Sequence, residues 1–342
     1  MRKAFITGVL GQDGAYLSRL LLEKGYRVFG GARNFSDESV WRLKKLGIEN
    51  SIEKVLLDMA DPKLIDSILE ETMPDEIYNL AAQSSVAKSF EDPVGTAVVN
   101  ALGPLYILEA VRKHCPSGRL FHAGSTEMFG QCTDRKQNED SAFSPLNPYS
   151  SAKVYAYNIM KNYRDIFGLF TVNGILFNHE SELRGKQFFT SKVVNHAARY
   201  SSGELCILNV GNIDAERDIG FAEDFVKAMF LSLQSDNPDD YIISAGKKYK
   251  IREFIEAAYR AAGTEIIWKG SGMEEKGYDS STGKLIIQVN PANFRPVDVE
   301  SQWGDPSKIE RLLGWKAVTE LPEIADRMVK DEIHSLKSEK PF

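Results

Sequence analysis

The chain has 342 residues, more than the ~250–300 over which one hydrophobic core usually grows, so two fused lobes are expected. With 43% hydrophobic, 26% charged and 10% aromatic residues, the composition excludes a disordered, collagen-like or coiled-coil chain. Forty-two Lys and Arg against 48 Asp and Glu leave a formal net charge of −6, which repels polyanions and argues against nucleic acid as a partner. Any anionic ligand then needs a local cluster of cations.

In chain order, Lys3 to Thr7 reads as a β-strand, and Leu17, Leu20, Leu21 and Leu22 form a helical face ending at Gly25. Tyr26 to Gly31 is a second strand. Lys54 to Leu57, Glu76 to Leu80, Leu120 to Ala123 and Phe170 to Leu176 follow, with helices near Pro62 to Thr72, Pro93 to His114 and Tyr149 to Ile166. This alternation predicts repeated βαβ units, hence an α/β fold of Rossmann type around a doubly wound parallel sheet. Beyond Phe177, glycine-rich connections at Gly185, Gly203, Gly211 and Gly220 separate amphipathic helices at Phe221 to Gln234 and Ile251 to Ala262. Residues 1–177 are therefore expected to form a dinucleotide domain whose sheet is completed by a segment near 222–245. Residues 178–335 would form a smaller α/β substrate lobe and 336–342 a polar tail.

Cys115, Cys132 and Cys206 are far apart and lack metal or disulfide spacing, which suits a reducing compartment. Arg2 and Lys3 precede a short apolar stretch that Gly8, Gln12 and Asp13 interrupt, and no run approaches the roughly 18 apolar residues of a membrane span. A cytoplasmic protein with no membrane partner is expected.

Gly8, Gly11 and Gly14 follow the first strand directly and open a helix. Glycine permits the tight turn and the close approach of a pyrophosphate, which the positive end of the helix dipole favours. At the end of the second strand an acid would accept from a ribose hydroxyl, whereas a cation pairs with a 2′-phosphate. The chain reads Gly31-Ala32-Arg33-Asn34, so NADP is favoured over NAD. Asp58 and Met59 are placed to contact adenine, and Leu80, Ala81 and Ala82 to pack beneath the diphosphate.

Tyr149 and Lys153 lie four apart, on one face of a predicted helix. A phenol of pKa about 10 must fall by roughly three pH units to act as a base near neutrality, worth about 4 kcal/mol, and an adjacent ammonium and a nicotinamide cation can supply that. After the fifth strand, Ser125, Thr126 and Glu127 bring hydroxyls and a carboxylate to the sheet edge where open α/β folds bind ligands. A simple alcohol dehydrogenase has no need of Glu127; a reaction that also takes a proton from carbon does.

The order of these motifs resembles the extended short-chain dehydrogenase/reductase superfamily. Tyr78 to Ser84, Asn173 to Ser181, Gly211 to Asp218, Arg252 to Phe254 and Phe294 to Pro296 narrow the resemblance to the GDP-mannose 4,6-dehydratase family, over nearly the whole chain. The resemblance implies a reaction without net redox: NADP holds hydride from sugar C4 while water leaves across C5 and C6, then returns it to C6. Tyr149 would deprotonate the C4 hydroxyl with help from Lys153, Glu127 would take the C5 proton, and Thr126 would position the sugar. It also implies that Gln12, Asp13, His179 and Arg184 border the cofactor. Arg184, Lys192, Arg217 and Arg295 would serve the diphosphate and guanine, Asn178 the diphosphate, Asp298 the ribose, and Ser84, Ser85 and Gly211 would border the substrate. A homodimer or homotetramer is implied in the same way.

The chain departs from the family pattern at Asn34, where a second arginine is common, at Leu146-Asn147 in place of arginine-serine, at Glu182 in place of proline and at Ile219 in place of tryptophan. These changes leave open a related GDP-sugar such as a GDP-heptose or GDP-N-acetylhexosamine. A GDP-4-keto-6-deoxymannose reductase and a catalytically silent NADP-binding scaffold are the remaining alternatives.

Overall fold

The computed structural model describes residues 1–131, 135–294 and 299–339; Cys132, Arg295 and Asp298 lie outside them. The strands are β1 (Lys3–Thr7), β2 (Arg27–Ala32), β3 (Glu53–Leu56), β4 (Glu76–Asn79), β5 (Arg119–Ala123), β6 (Phe170–Leu176), β7 (Asn178–Glu180), β8 (Leu208–Val210), β9 (Glu216–Phe221), β10 (Asp240–Ile243), β11 (Lys248–Lys250), β12 (Ile266–Lys269), β13 (Lys276–Asp279), β14 (Leu285–Val289) and β15 (Ser301–Gln302).

Seven of them form one sheet in the order β3-β2-β1-β4-β5-β6-β10, with every neighbouring pair parallel. Ala4, Phe5 and Ile6 are fully buried because helices cover both faces, which is why these strands read as continuous apolar runs. Leu17, Leu21, Phe225 and Met229 pack one face, while Ile65, Leu69, Ile107 and Val111 pack the other. The chain reverses direction across the sheet between β1 and β4, so a crevice opens at the C-terminal ends of those two strands.

The sequence shows Pro93 to His114 as one helix. The structure interrupts it with a π-turn at Val98–Leu102, between helices Pro93–Ala97 and Gly103–His114. Pro104 has no N–H to give Asn100 in an α-helical ladder. Asn100 uses its side chain instead to accept from Gln83 N (2.8 Å) and donate to Gln83 O (2.9 Å). This Pro93–His114 stretch corrects the expectation of no span-length apolar run: it is long and apolar enough to cross a membrane, but half of it is buried. A helix covering a parallel sheet and touching a further helix becomes apolar for the same reason as a membrane span.

The second lobe holds two four-stranded sheets, one linking β11, β9, β15 and β7 and the other ordered β12-β13-β14-β8. Its core is Phe254, Ile255, Tyr259, Ile286, Met328 and Val329. β10 returns from this half of the chain to pair with β6, and β15 brings Gln302 beside Arg217 in register. β10 thus crosses from the second half of the chain into the first sheet, and residues distant in sequence meet at the crevice.

Candidate functional site

The phosphate end is a backbone construction. Gly8 follows β1 at φ +72°, its N–H donates to Gly31 O at 2.9 Å, and Gly11 N–H donates to Gly8 O at 2.9 Å. A Cβ on Gly14 would lie 2.4 Å from Gly8 O, and one on Gly8 would lie 2.9 Å from Ala81 N, so neither position has room for a side chain. The helix Gln12–Glu23 starts after Gly11 with no side-chain cap, leaving its first-turn N–H groups for an anion. Thr7 Oγ1 accepts from Leu80 N (3.1 Å) and Ala81 N (3.0 Å) and donates to Asn79 Oδ1 (2.8 Å), which holds Leu80–Ala82 against the turn.

Gln12, Asp13 and His179 form one network there. His179 presents Nδ1 to Phe177 O at 2.6 Å and Nε2 to Asp13 Oδ2 at 3.0 Å. Both neighbours are acceptors, an arrangement that favours a proton on each ring nitrogen. Burial opposes charge on each partner, yet Asp13 holds His179 above the ordinary imidazole value and His179 holds Asp13 below the ordinary carboxylate value. Gln12 donates to His179 O at 3.1 Å and accepts from Ser181 Oγ at 2.7 Å, tying β7 to the first helix. Arg42, which the sequence reading passed over, donates to Leu10 O (2.8 Å) and Leu183 O (2.6 Å). Burial and the nearby Arg184 pull its guanidinium down to about 10.

Arg33 is exposed at the end of β2 and has no ion pair among the described residues. Asp58 is exposed and accepts from Ala60 N at 2.9 Å, and Met59 is buried. These residues border the same sheet edge as the glycine turn, one and two strands away.

The chemical end lies at the C-terminal edge of β5. Thr126 is 4% exposed and its Oγ1 has no partner among the described residues. Glu127 Oε2 accepts from Asn147 Nδ2 at 3.3 Å and Oε1 from Gln302 Nε2 at 3.1 Å. Asn147 also caps the Pro148–Phe167 helix by accepting from Ser150 N at 2.8 Å, which places Tyr149 in its first turn. Lys153, one turn on, donates to Ala123 O at 2.7 Å.

In the chain alone, burial pushes the Tyr149 phenol up to about 12, the hydrogen bond from Ser125 opposes it, and Glu127 adds to the rise. Lys153 is itself pulled down to about 8 by burial, and its hydrogen bond goes to the backbone. Burial in the chain alone therefore favours the protonated phenol.

The predicted substrate residues divide. Asn178 is at the site, but its amide donates to Gln302 Oε1 at 3.0 Å. Arg184 pairs with Glu180 (3.1 Å) and stacks on Phe188 (3.8 Å). Arg217 donates to Glu216 O at 2.9 Å. Ser85 caps the helix Val86–Glu91 by accepting from Lys88 N at 3.2 Å, while Ser84 and Lys192 are exposed. Gly211 lies so close to Asn293 that a Cβ would stand 2.6 Å from its O. Arg295 and Asp298 lie outside the described residues. Gln302 was missed: a lone glutamine beside Trp303 carries no local pattern, and only the pairing of β15 with β9 delivers it to Glu127.

A glycine turn at the switch point of a parallel sheet, with Tyr149 and Lys153 one helical turn apart at the adjoining edge, defines a Rossmann-type protein of the short-chain dehydrogenase/reductase class. A UDP-glucose 4-epimerase structure from Thermotoga maritima shares this fold, at a TM-score of 0.82 and 19% identity over 98% of this chain and 99% of that one. Residues 5–328 match the GDP-mannose 4,6 dehydratase family. A GDP-mannose 4,6-dehydratase of Sinorhizobium fredii is 41% identical, covering 98% of this chain and 97% of its own. One from Vibrio cholerae is 39% identical, covering 97% and 94%. The chain belongs to the GDP-mannose 4,6-dehydratase family.

Proposed function

We propose that the protein is a lyase that converts GDP-mannose to GDP-4-keto-6-deoxymannose and water. The observation that carries this reading is a carboxylate, Glu127, fixed by Asn147 Nδ2 at 3.3 Å and Gln302 Nε2 at 3.1 Å at the sheet edge where the Tyr149 helix begins, beside the uncommitted Thr126 hydroxyl, in a chain of this family.

The glycine turn and the open helix start fit a dinucleotide diphosphate, and the exposed Arg33 with no acid at the end of β2 fits a 2′-phosphate, so the cofactor is NADP. NADP, when bound, supplies the reversible hydride acceptor for C4 and, while oxidised, a cationic ring. Burial holds the Tyr149 phenol above its ordinary value and the Ser125 hydrogen bond offsets this only in part, so the added positive potential of the loaded site is what makes Tyr149 a base.

Tyr149 takes the C4 hydroxyl proton, and the resulting 4-ketone makes the C5 hydrogen acidic. Glu127 removes that proton and returns it to the C6 hydroxyl as it departs as water; when hydride is restored at C6 a proton must return to C5, and the one Tyr149 took from the C4 hydroxyl balances it. Thr126 donates to a sugar oxygen, and the buried edge excludes bulk solvent. The protein also assembles as a homodimer or homotetramer in the cytoplasm; the exposed Phe90, Val94, Tyr155, Ile166 and Phe167 support an apolar self-association surface.

Incubation with GDP-mannose and NADP, followed by product mass, tests the proposal. Loss of one water without net consumption of NADP is expected. A sugar nucleotide returned unchanged overturns the reading.

A further inference from the structure

Glu127 is the hub of a line of four side chains drawn from four parts of the chain. Asn147 Nδ2 donates to one of its oxygens at 3.3 Å and Gln302 Nε2 to the other at 3.1 Å. One donor per oxygen sets both the plane and the rotamer of a carboxylate. Gln302 is 2% exposed, so it has no water to turn to. Its own amide is oriented from the far side: Asn178 Nδ2 donates to Gln302 Oε1 at 3.0 Å, which leaves the Gln302 NH2 facing Glu127. The reverse orientation would set acceptor against carboxylate and donor against donor. Asn178 opens β7, whose next residue, His179, is paired with Asp13 in the helix that follows the glycine turn.

We infer that Gln302 is a positioning residue: with Asn147 it aims the Glu127 carboxylate at the sugar's C5, and Asn178 sets the direction of its amide. The inference rests on the dehydratase reading. It separates two steps of that reaction. C4 oxidation depends on Tyr149 and Lys153, which touch neither Gln302 nor Asn178 through any hydrogen bond among the described residues. In the second step the C5–H electron pair becomes the C5–C6 double bond, the C6–O bond breaks, and the proton travels by Glu127. Only this step needs Gln302.

Gln302→Leu, of similar volume, is the test, assayed with the NADP-loaded full chain and GDP-mannose. A kcat about 10- to 100-fold lower is expected, with KM little changed, because a misplaced base slows the step it serves without loosening the nucleotide. During a single turnover the near-ultraviolet absorbance of reduced nicotinamide should accumulate in the variant and not in the wild type. Gln302→Glu keeps the acceptor for Asn178 but faces Glu127 with a like charge, and its loss should be at least as large. Unchanged kcat in Gln302→Leu overturns the positioning role, and so does a fall in kcat with no accumulation of reduced nicotinamide, since general damage slows both steps alike. Wild-type protein that leaves GDP-mannose intact overturns the dehydratase reading and this inference together. Wild-type turnover combined with either of the first two results removes the inference alone.

Discussion

The two ends of the site are built from different distances along the chain. At the phosphate end, the turn Gly8–Gly14 closes on itself and on Gly31 through backbone-to-backbone hydrogen bonds, with side chains such as Arg42 bracing it from outside. At the chemical end, the partners of Glu127 are side chains 20 and 175 positions away, and both are neutral amides. The first arrangement tolerates no side chain; the second depends entirely on which side chains arrive. A diphosphate is met by geometry that glycine alone permits, whereas a proton-transfer group must be aimed, and aiming is done by hydrogen bonds from whatever the fold brings near.

That contrast can be broken at several points. The largest expected effect is at the chemical end: Glu127→Gln should lower kcat for product release by about 10³-fold, within the range for loss of a general base, while NADP affinity stays within error. Full turnover by this variant would remove the assignment, and product mass spectrometry with equilibrium NADP binding reads both quantities.

Next comes the pair that locks β7 to the first helix. Asp13→Asn strands the His179 cation in a buried setting and should cost about 3 kcal/mol in urea unfolding near pH 6. The pH dependence has two sides. His179 is held above its ordinary value, so its share of stability is complete below about pH 6.5 and fades as pH rises through the raised value. Asp13 is held below its ordinary value, so its share is complete above about pH 4 and fades as pH falls through the lowered value. The wild-type protein should therefore gain most over Asp13→Asn between these limits, and an equal difference at pH 6 and pH 9 would contradict the ion pair.

Gly14→Ala should be milder, about 2 kcal/mol by thermal unfolding, because its Cβ, 2.4 Å from Gly8 O, forces the helix start away from the turn. NADP binding should weaken with it; a variant as stable and as tight as wild type would show that the turn has slack. The smallest effect is at Arg33. Arg33→Ala should weaken NADP about tenfold, or ~1.4 kcal/mol, and leave NAD unchanged, as titration calorimetry with both cofactors can decide.

How far each end was legible follows the same division. The alternation of apolar strand runs with helical faces revealed the doubly wound sheet, because a parallel strand buried on both faces must be apolar throughout. The glycine spacing and the Tyr149/Lys153 spacing were legible because each is a short-range pattern on one turn or one helix. Glu127 was visible by its place after β5. Its partners were not: Asn147 read as a departure from the arginine-serine pattern, and Gln302 carried no signal. The raised phenol of Tyr149 was also hidden, since spacing placed a lysine on its face but could not show how deeply the phenol is buried.

By itself, then, the amino-acid order determined the layers, the sheet's winding and the residue types able to cradle a diphosphate or move a proton, since these depend on periodicities of two to four residues. Tertiary structure alone decided which amide faces Glu127, where the Lys153 hydrogen bond goes and that Asp13 and His179 each favour the other's charged form. Those outcomes depend on burial and on partners as far as 175 residues away, and neither is written in any local pattern.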